Sequence, residues 1–423
     1  MRPQPLRAGL FFVQLRRAAT TPLAPATGAA PWVCAPVGMN NMAAPNYPPD
    51  SPDETSSGRA AAPRELSFSP PVRERVFEKV LTWTRWLLTA LTVVYCVGFL
   101  VILYLLEYQA EEFTFLSTAM YLPPWGWLVP LVPLAFFSLL IYARLLIFQV
   151  ACIPVMIFGF MDLRWHGWPP PSKASFRIVT NNIGQSHKTS YKAFAEQQRA
   201  DLIALQDAGM RGPEIAREYP DRYVVGKDQF VLISKFPVKA AGALPMPDPE
   251  DPRQKVAAWF EVEAHGGQSI IVFVVHMPTP RDQLNAMKGL GAVSVLLGKE
   301  GGHGADIRKQ NESFFKTQQE LASQMVSYAR QAKVPFIVCG DFNIPTHGKI
   351  YRTYRDNWIE AFNERGQGVG ATFPGDAHLP AWLRLDNIYC SKTGLRPIHA
   401  EVEEDRVSQH RCMAATFEIT GIR

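Results

Sequence analysis

Paired cysteines are missing. Six of them, Cys34, Cys96, Cys152, Cys339, Cys390 and Cys412, are scattered over 423 residues without a CxxC spacing. Neither a disulfide framework nor a zinc knuckle can be read from that pattern. Cys96 and Cys152 fall in long apolar runs, and the last three fall in or beside strand-like segments, where a free thiol behaves as a small hydrophobe. Acidic residues are missing from the first 49 positions, which carry Arg2, Arg7, Arg16 and Arg17. Those arginines account for most of the net charge of +5 and leave about +1 for the rest, so charge alone gives no polyanion-binding footprint. Internal repeats are absent. A Gly-rich stretch over 283–310, with GLG and GKEGGHG, lacks the Lys-Ser/Thr pair of a phosphate-cradling P-loop. It reads as a mobile loop at the mouth of a site, with His303 as a loop residue.

Residues 1–70 are rich in Ala, Pro, Ser and Thr and poor in aromatics. Such a segment buries too little apolar surface to offset its ordering entropy, so a disordered tail is expected. Its Arg-bearing start resembles a transit peptide, but the preferred reading is an over-long start with translation beginning at Met39 or Met42.

Residues 71–161 read as a membrane region. The run Trp86–Leu106 carries no charge over about 21 residues, enough to cross a hydrocarbon core of about 30 Å. A second apolar stretch from Trp125 to Met161 is interrupted only by Arg144 and is too long for one span. It is expected to fold as a hairpin, 125–143 and 145–161, giving three transmembrane helices. Arg73, Arg75, Lys79 and Arg85 precede the first span, whereas the connector carries Glu107, Glu111 and Glu112 and no base. The positive-inside bias therefore puts the N-terminal side in the cytoplasm and, with three spans, the rest of the chain outside. Two spans would reverse that side. A linker at 162–174, with Trp165, Trp168 and Pro169–Pro171, reads as an interfacial anchor followed by a stiff spacer.

From 175 to 423 strand-length apolar runs alternate with helical patterns, so an α/β domain is expected. Strands are predicted near Phe176–Ile183, Leu202–Gln206, Phe230–Ser234, Val256–Glu263, Ile270–Val275 and Phe336–Cys339, and helices near Tyr191–Arg199 and Ile307–Ala332. Polar residues recur at the strand ends: Asn182, Asp207, His276, Asp341, Asn343, Asp386 and His410. Each alone is more often a turn former or cap than a catalytic group. As a set they supply what phosphoester hydrolysis needs, namely carboxylates for a hard divalent cation and histidines for proton handling around an attacking water.

The motifs VTNNIG, IALQD, VLISKFPV, VVHMP, GDFN, RLDNIY and SQHR, in this order, resemble the endonuclease/exonuclease/phosphatase superfamily of deoxyribonuclease I and exonuclease III. GDFN at 340–343 is the most specific, and GQGVGATFPG resembles a segment of bacterial members with N-terminal membrane helices. The resemblance implies a four-layer α/β sandwich, two mixed β-sheets flanked by helices. It implies Asp207 as an acidic metal ligand, with Asn182 orienting the metal or the phosphate. Asp341 would align or deprotonate water, and Asn343 would bind the phosphoryl group. His410, paired with Asp386, would stabilise the transition state, and His276 would serve as general acid. Magnesium is the implied ion, with manganese able to substitute. Two positions depart from the family pattern: Asp207 stands where Glu is usual, and Gln409 stands where the motif before the closing His has Asp.

The expected protein is thus a membrane-anchored, divalent-metal-dependent phosphoesterase, bacterial by resemblance. Its partners would be the bilayer and a phosphoester substrate, either nucleic acid or a lipid or small-molecule phosphate. The alternative is a catalytically weakened or silent membrane-tethered binding protein that retains the fold. Arg281 and Lys235 are basic residues near the motifs, for which a solvated surface is the favoured reading.

Overall fold

Apolar helices open the described chain, which comprises residues 72–171, 174–184, 191–209, 211–298, 301–405 and 408–420 of the computed structural model. The tail over 1–70 lies outside the described residues. The uncharged run becomes α1 (Val72–Gln109), followed by α2 (Thr114–Ala119), α3 (Leu131–Ile141) and α4 (Leu146–Val155). With their flanking turns these give three stretches, 72–112, 124–141 and 143–160, long and apolar enough to cross a membrane by length and composition. Arg144 sits in the turn between α3 and α4. One polar clamp ties the three helices: Gln149 of α4 donates through Nε2 to Thr92 Oγ1 of α1 (2.9 Å) and to Ser138 Oγ of α3 (2.8 Å). All three side chains are buried, the arrangement expected where packing and interhelical hydrogen bonds, rather than exclusion of water, hold helices together.

Beyond α4 the chain forms β1 (Arg164–Trp165), β2 (Ser175–Asn182), α5 (Tyr191–Gln197), β3 (Leu202–Gln206), α6 (Gly212–Glu218), β4 (Tyr223–Lys227), β5 (Phe230–Ser234), β6 (Val238–Ala243), β7 (Ala257–Glu263) and β8 (Ser269–His276). Then come α7 (Arg281–Ala286), α8 (Leu290–Leu297), α9 (His303–Arg330), β9 (Phe336–Asp341), α10 (Gly348–Asn357), β10 (Ile359–Glu360), α11 (Ala361–Arg365), β11 (Gln367–Gly368), β12 (Asp386–Cys390), β13 (Leu395–Val402) and β14 (Met413–Ile419). The strands make two six-stranded sheets, β10-β12-β9-β8-β7-β6 and β13-β14-β2-β3-β5-β4. Each sheet is mixed, with one parallel pair, β8 with β9 and β2 with β3. The four-layer sandwich expected from the motifs is what the chain adopts.

The sheets pack face to face through Phe176, Phe230, Phe260, Phe417 and their aliphatic neighbours, all buried. Each such phenylalanine contributes about 1.5–3 kcal/mol by leaving water. Central strands are buried on both faces, which is why β3 and β5 read as unbroken apolar runs rather than alternating ones. Helices α5 and α6 cover the outside of one sheet. The other sheet is covered by α9 and α10. In α9 the buried positions Ile307, Asn311, Phe315, Gln318, Ala322, Met325 and Ala329 recur at spacings of three and four, one helical face.

The Gly-rich segment expected to be a loop is largely helical, forming α7, α8 and the start of α9, with residues 299 and 300 outside the described set. A run of small and apolar residues with few glycines in register, LGAVSVLL, was enough for a helix once α9 lay behind it.

The apolar helical region does not hang from its spacer. Leu106, Ala110, Ala119, Tyr121 and Phe160 belong to the same buried cluster as α9, α10 and the sheet beneath them. Glu111 reaches from the first connector to cap α10, accepting from Lys349 N and Ile350 N at 2.9 Å each. A Cβ on Gly348 would lie 2.4 Å from that carboxylate, and Gly348 has φ +90°, so only glycine fits. The stretch read as a stiff spacer is pinned as well: β1 pairs with β11, and Trp168 Nε1 donates to Arg365 O at 2.7 Å.

Candidate active site

Register explains why distant motifs meet. In one sheet Asp341 stands opposite His276 on one side and opposite Asp386 on the other. In the other sheet Asn182 pairs with Gln206, so Asp207 follows directly beside it, and Asn181 Nδ2 holds the backbone oxygen of His410 at 3.1 Å. Three groups thus come from the strand ends of each sheet. Gly340 approaches β8 closely, because a Cβ there would sit 2.0 Å from Val275 O. The glycine of GDFN is therefore what lets β9 lie tight on β8.

Asn182, Asp207, His276, Asp341 and His410 line one cleft of about 620 Å³, together with Tyr121, Gly184, Thr279, Pro280, Arg281, Leu284, Asn343, Phe373, Trp382, Leu383, Leu385 and Gln409, while Asp386 is buried against His410. Asp341 is at its centre and buried. Its Oδ1 accepts from Asn343 N and its Oδ2 from Asn182 Nδ2, both at 2.9 Å. Two imidazoles flank that Oδ2, His410 Nε2 at 3.7 Å and His276 Nε2 at 3.9 Å. Such gaps exceed a direct hydrogen bond and leave room for a bridging oxygen.

The two histidines are held differently. His410 Nδ1 is 2.9 Å from Asp386 Oδ2, and Phe373 packs against its ring at 5.0 Å between centroids. Asp386 is fully buried, and Thr372 Oγ1 receives its backbone N–H. Burial pushes its carboxyl above the ordinary range, and the adjacent His410 pulls it back. His276 instead faces a neutral group: its Nδ1 is 2.6 Å from Gln229 Oε1. Gln229 Nε2 donates to Lys255 O at 2.9 Å, so the amide oxygen must face the ring. The neutral imidazole then carries its proton on Nδ1 and its lone pair on Nε2, where Asn182 Nδ2 approaches at 3.4 Å. To act as an acid, His276 must first gain a proton on Nε2.

Asn182 Oδ1 accepts from Gly184 N at 2.9 Å and keeps a second lone pair. Asn343 is committed through Nδ2 to Met277 O (2.8 Å), while its own carbonyl accepts from Tyr121 Oη at 2.9 Å. Burial and the carboxylates of Glu111 and Asp341 keep that tyrosine protonated well beyond its usual range. Asp207 lines the cleft with φ +53° and makes no hydrogen bond or ion pair among the described residues. Gln409 is exposed on the rim and brings no charge. Arg281 lines the cleft mouth, whereas Lys235 is ion-paired with Asp201 at 3.0 Å.

The donor set fits a hard divalent cation. Asp207 and Asp341 put two carboxylates in the cleft, and an oxygen of Asp341, one of the buried Asp386 and a nitrogen of His410 lie within 4.8 Å of one another. Asp386 Oδ1 is buried without a hydrogen-bond partner. Asp341 already accepts one hydrogen bond on each oxygen, and Asp386 and His410 hold each other. Asp207, with no partner, is the carboxylate most open to an ion, next to the free lone pair of Asn182.

Sequence reasoning missed Gln229, Thr372, Phe373, Tyr121 and Trp382. A glutamine in a hairpin turn and aromatics in connectors carry no signal until the fold brings them to the cleft. Replacing Gln229 by leucine is expected to lower kcat on a soluble phosphodiester about 10-fold to 100-fold, with KM little changed, because an orienting partner sets the tautomer rather than binding substrate. A pH–rate profile would show the acid limb moved; an unmoved limb would argue for packing alone.

Residues 182–410 match the sequence profile of the Endonuclease/Exonuclease/phosphatase family. Comparison with curated protein sequences gives no match. Among solved structures, the chain is similar to an endonuclease/exonuclease/phosphatase family protein from Bacteroides thetaiotaomicron, at 13% identity and TM-score 0.43, covering 57% of this chain and 97% of that one. It is also similar to a mannosyl-6-phosphatase of the same organism, at 14% identity and TM-score 0.42, covering 57% and 99%. The catalytic domain of human Nocturnin with bound sulfate is a third, at 16% identity and TM-score 0.39, covering 58% and 94%.

Proposed function

The chain belongs to the endonuclease/exonuclease/phosphatase family, and from that membership and the cleft we propose that it is a membrane-anchored, divalent-metal-dependent phosphoesterase. The observation that carries the reading is Asp341 Oδ2 between two imidazole nitrogens, each from a different pair of strands. Asp207 and Asn182 would hold a magnesium or manganese ion, which supplies polarisation of phosphoryl oxygens when bound. Asp341 aligns the attacking water and receives its proton, its geometry fixed by Asn182 and the Asn343 amide. His410, oriented by Asp386, donates from Nε2 to the phosphoryl oxygens as negative charge grows on them. The proton taken by Asp341 passes across the 3.9 Å gap to His276 Nε2 through a bridging water, and His276 delivers it to the leaving oxygen. Asn343, through its free amide hydrogen, binds the phosphoryl group.

The anchor is proposed as three spans. Arg85 lies over the Tyr142 ring at 5.9 Å, so the base-rich start of α1 and the turn with Arg144 share one end of the bundle. Glu107, Glu111 and the catalytic domain share the other. The positive-inside bias then assigns the domain to the extracytoplasmic side.

The test is turnover of bis-p-nitrophenyl phosphate by the full chain in detergent. Chelation is expected to remove activity by at least about 100-fold, with return on adding Mg²⁺ or Mn²⁺. Asp207→Asn should raise the metal concentration needed for half-activity. Absence of turnover with either ion would leave the silent binding protein, the reading that the neutral Gln409 favours.

A further inference from the structure

We propose that the apolar face of α8 seats in the bilayer surface beside the cleft mouth, and that the substrate is a phosphoester carried by a bilayer lipid; this substrate assignment rests on the phosphoesterase reading above. Helix α8 exposes Leu290 (82%), Val293 (47%), Leu296 (65%) and Leu297 (80%). At about 100° per residue these four fall within about 120° of the helix circumference, a single unpartnered face. From behind, the helix is held on α9, where Arg308 donates to Val295 O at 2.8 Å. It also packs against α2, the short helix between the first and second apolar stretches. That neighbour exposes Phe113 and Phe115, and α9 is tied to it by Asn311 Nδ2 donating to Ser117 Oγ at 2.8 Å.

The occupant follows from continuity. Residues 113–115 lie directly after the helix that carries the longest apolar stretch, so the patch on α8 and α2 extends the lipid-facing surface of that helix onto the catalytic domain. A water-exposed patch of this kind is costly, and a lipid surface removes that cost. The cleft opens beside it. Helix α7 begins at the cleft, which Arg281 and Leu284 line, and α8 starts four residues after α7 ends. The lining also includes Tyr121 of the connector and Trp382, whose Nε1 donates to Tyr121 O at 3.0 Å. The cleft is thus bounded by the connector between the first two apolar stretches and by the helix leading to α8, so a headgroup phosphate enters while its acyl chains stay in the membrane. Arg281 is the lone Lys or Arg among the described lining residues, which gives little purchase on a polymeric polyanion.

The experiment uses the full chain in lipid nanodiscs and proteoliposomes. With Leu296→Trp, the emission added over the parent chain is expected to be quenched by lipids with brominated acyl chains. An unquenched signal overturns the seating of α8, including the case in which crosslinking shows a second copy covering the face. Val293→Glu/Leu297→Glu is expected to lower headgroup release from phosphatidylglycerol/phosphatidylethanolamine vesicles at least 10-fold, with bis-p-nitrophenyl phosphate hydrolysis within 2-fold of the parent. Equal effects on both substrates overturn the proposal. Parent protein that cleaves the soluble diester but no vesicle lipid overturns the lipid assignment alone. Failure on the soluble diester sinks the phosphoesterase reading, and with it the substrate assignment, while the quenching result still decides where α8 sits.

Discussion

His410→Ala is expected to lower kcat on bis-p-nitrophenyl phosphate about 1,000-fold, within the range removed with a general acid or base or an oxyanion donor. The fold should survive, because the ring lies in the cleft beside the Asp386 carboxylate and the Phe373 ring rather than in a core cluster. Asp386→Asn keeps the shape of that partner but removes its charge, and a loss of about 100-fold is expected. The decisive measurement is the double variant. If Asp386 acts only through His410, then His410→Ala/Asp386→Asn is no slower than His410→Ala, since groups that work as a unit are not additive. A further 10-fold loss would show that Asp386 has a role of its own, and its partnerless buried Oδ1 near Asp341 would then be read as an ion ligand. Removing His410 also strips the buried Asp386 of the group that pulls its carboxyl down, so the variant should hold a proton there to higher pH.

Most of the polar residues gathered at the cleft were legible because they sit where strands stop. An apolar run such as FIVCG announces β9, and the polar residue that ends it must face either water or a site. The strands predicted at Leu202–Gln206 and Phe230–Ser234 have the observed bounds, since buried central strands are short, apolar and sharply ended. Edge strands β4 and β6 were not legible: half-exposed, with Gly226 and Gly242 inside them, they lack the apolar run and the clean alternation. Gln229 was invisible for a different reason. Its function depends on a hydrogen bond to a residue 47 positions away, which no local pattern encodes. The spacer likewise read as free chain, because Trp168 finds its partner 197 residues later and Asp162, besides its neighbour Arg164, meets Arg384 222 residues later.

Arg384→Ala is expected to destabilise the protein by about 3–5 kcal/mol, the cost of leaving buried charge without its partner. The guanidinium is 1% exposed and meets Asp162 Oδ2 at 2.5 Å and Glu360 Oε1 at 3.2 Å. It also bonds Asn363 Oδ1 at 3.2 Å and Val369 O at 3.3 Å, and lies 4.7 Å over the Phe362 ring. Burial raises the Glu360 carboxyl and Arg384 opposes that rise, so without the arginine Glu360 should neutralise, which limits the loss but does not cancel it. For a chain of this size the loss corresponds to a fall in Tm of about 10 °C. Arg396 is the internal comparison: its ion pair with Glu418 is 59% exposed on the arginine side, and Arg396→Ala should change stability by less than about 1 kcal/mol. Asp162 belongs to the segment leaving the last apolar helix, so the same substitution should loosen the seat of the domain on its anchor. Limited trypsin digestion of the full chain in detergent should then cut at Arg164 in Arg384→Ala and spare it in Arg396→Ala. Equal melting and equal protection of the two variants would mean that Arg384 is not what joins anchor to domain. The join would then rest on Glu111, the shared apolar cluster and the ties of Ser117, Tyr121 and Trp168 to the domain.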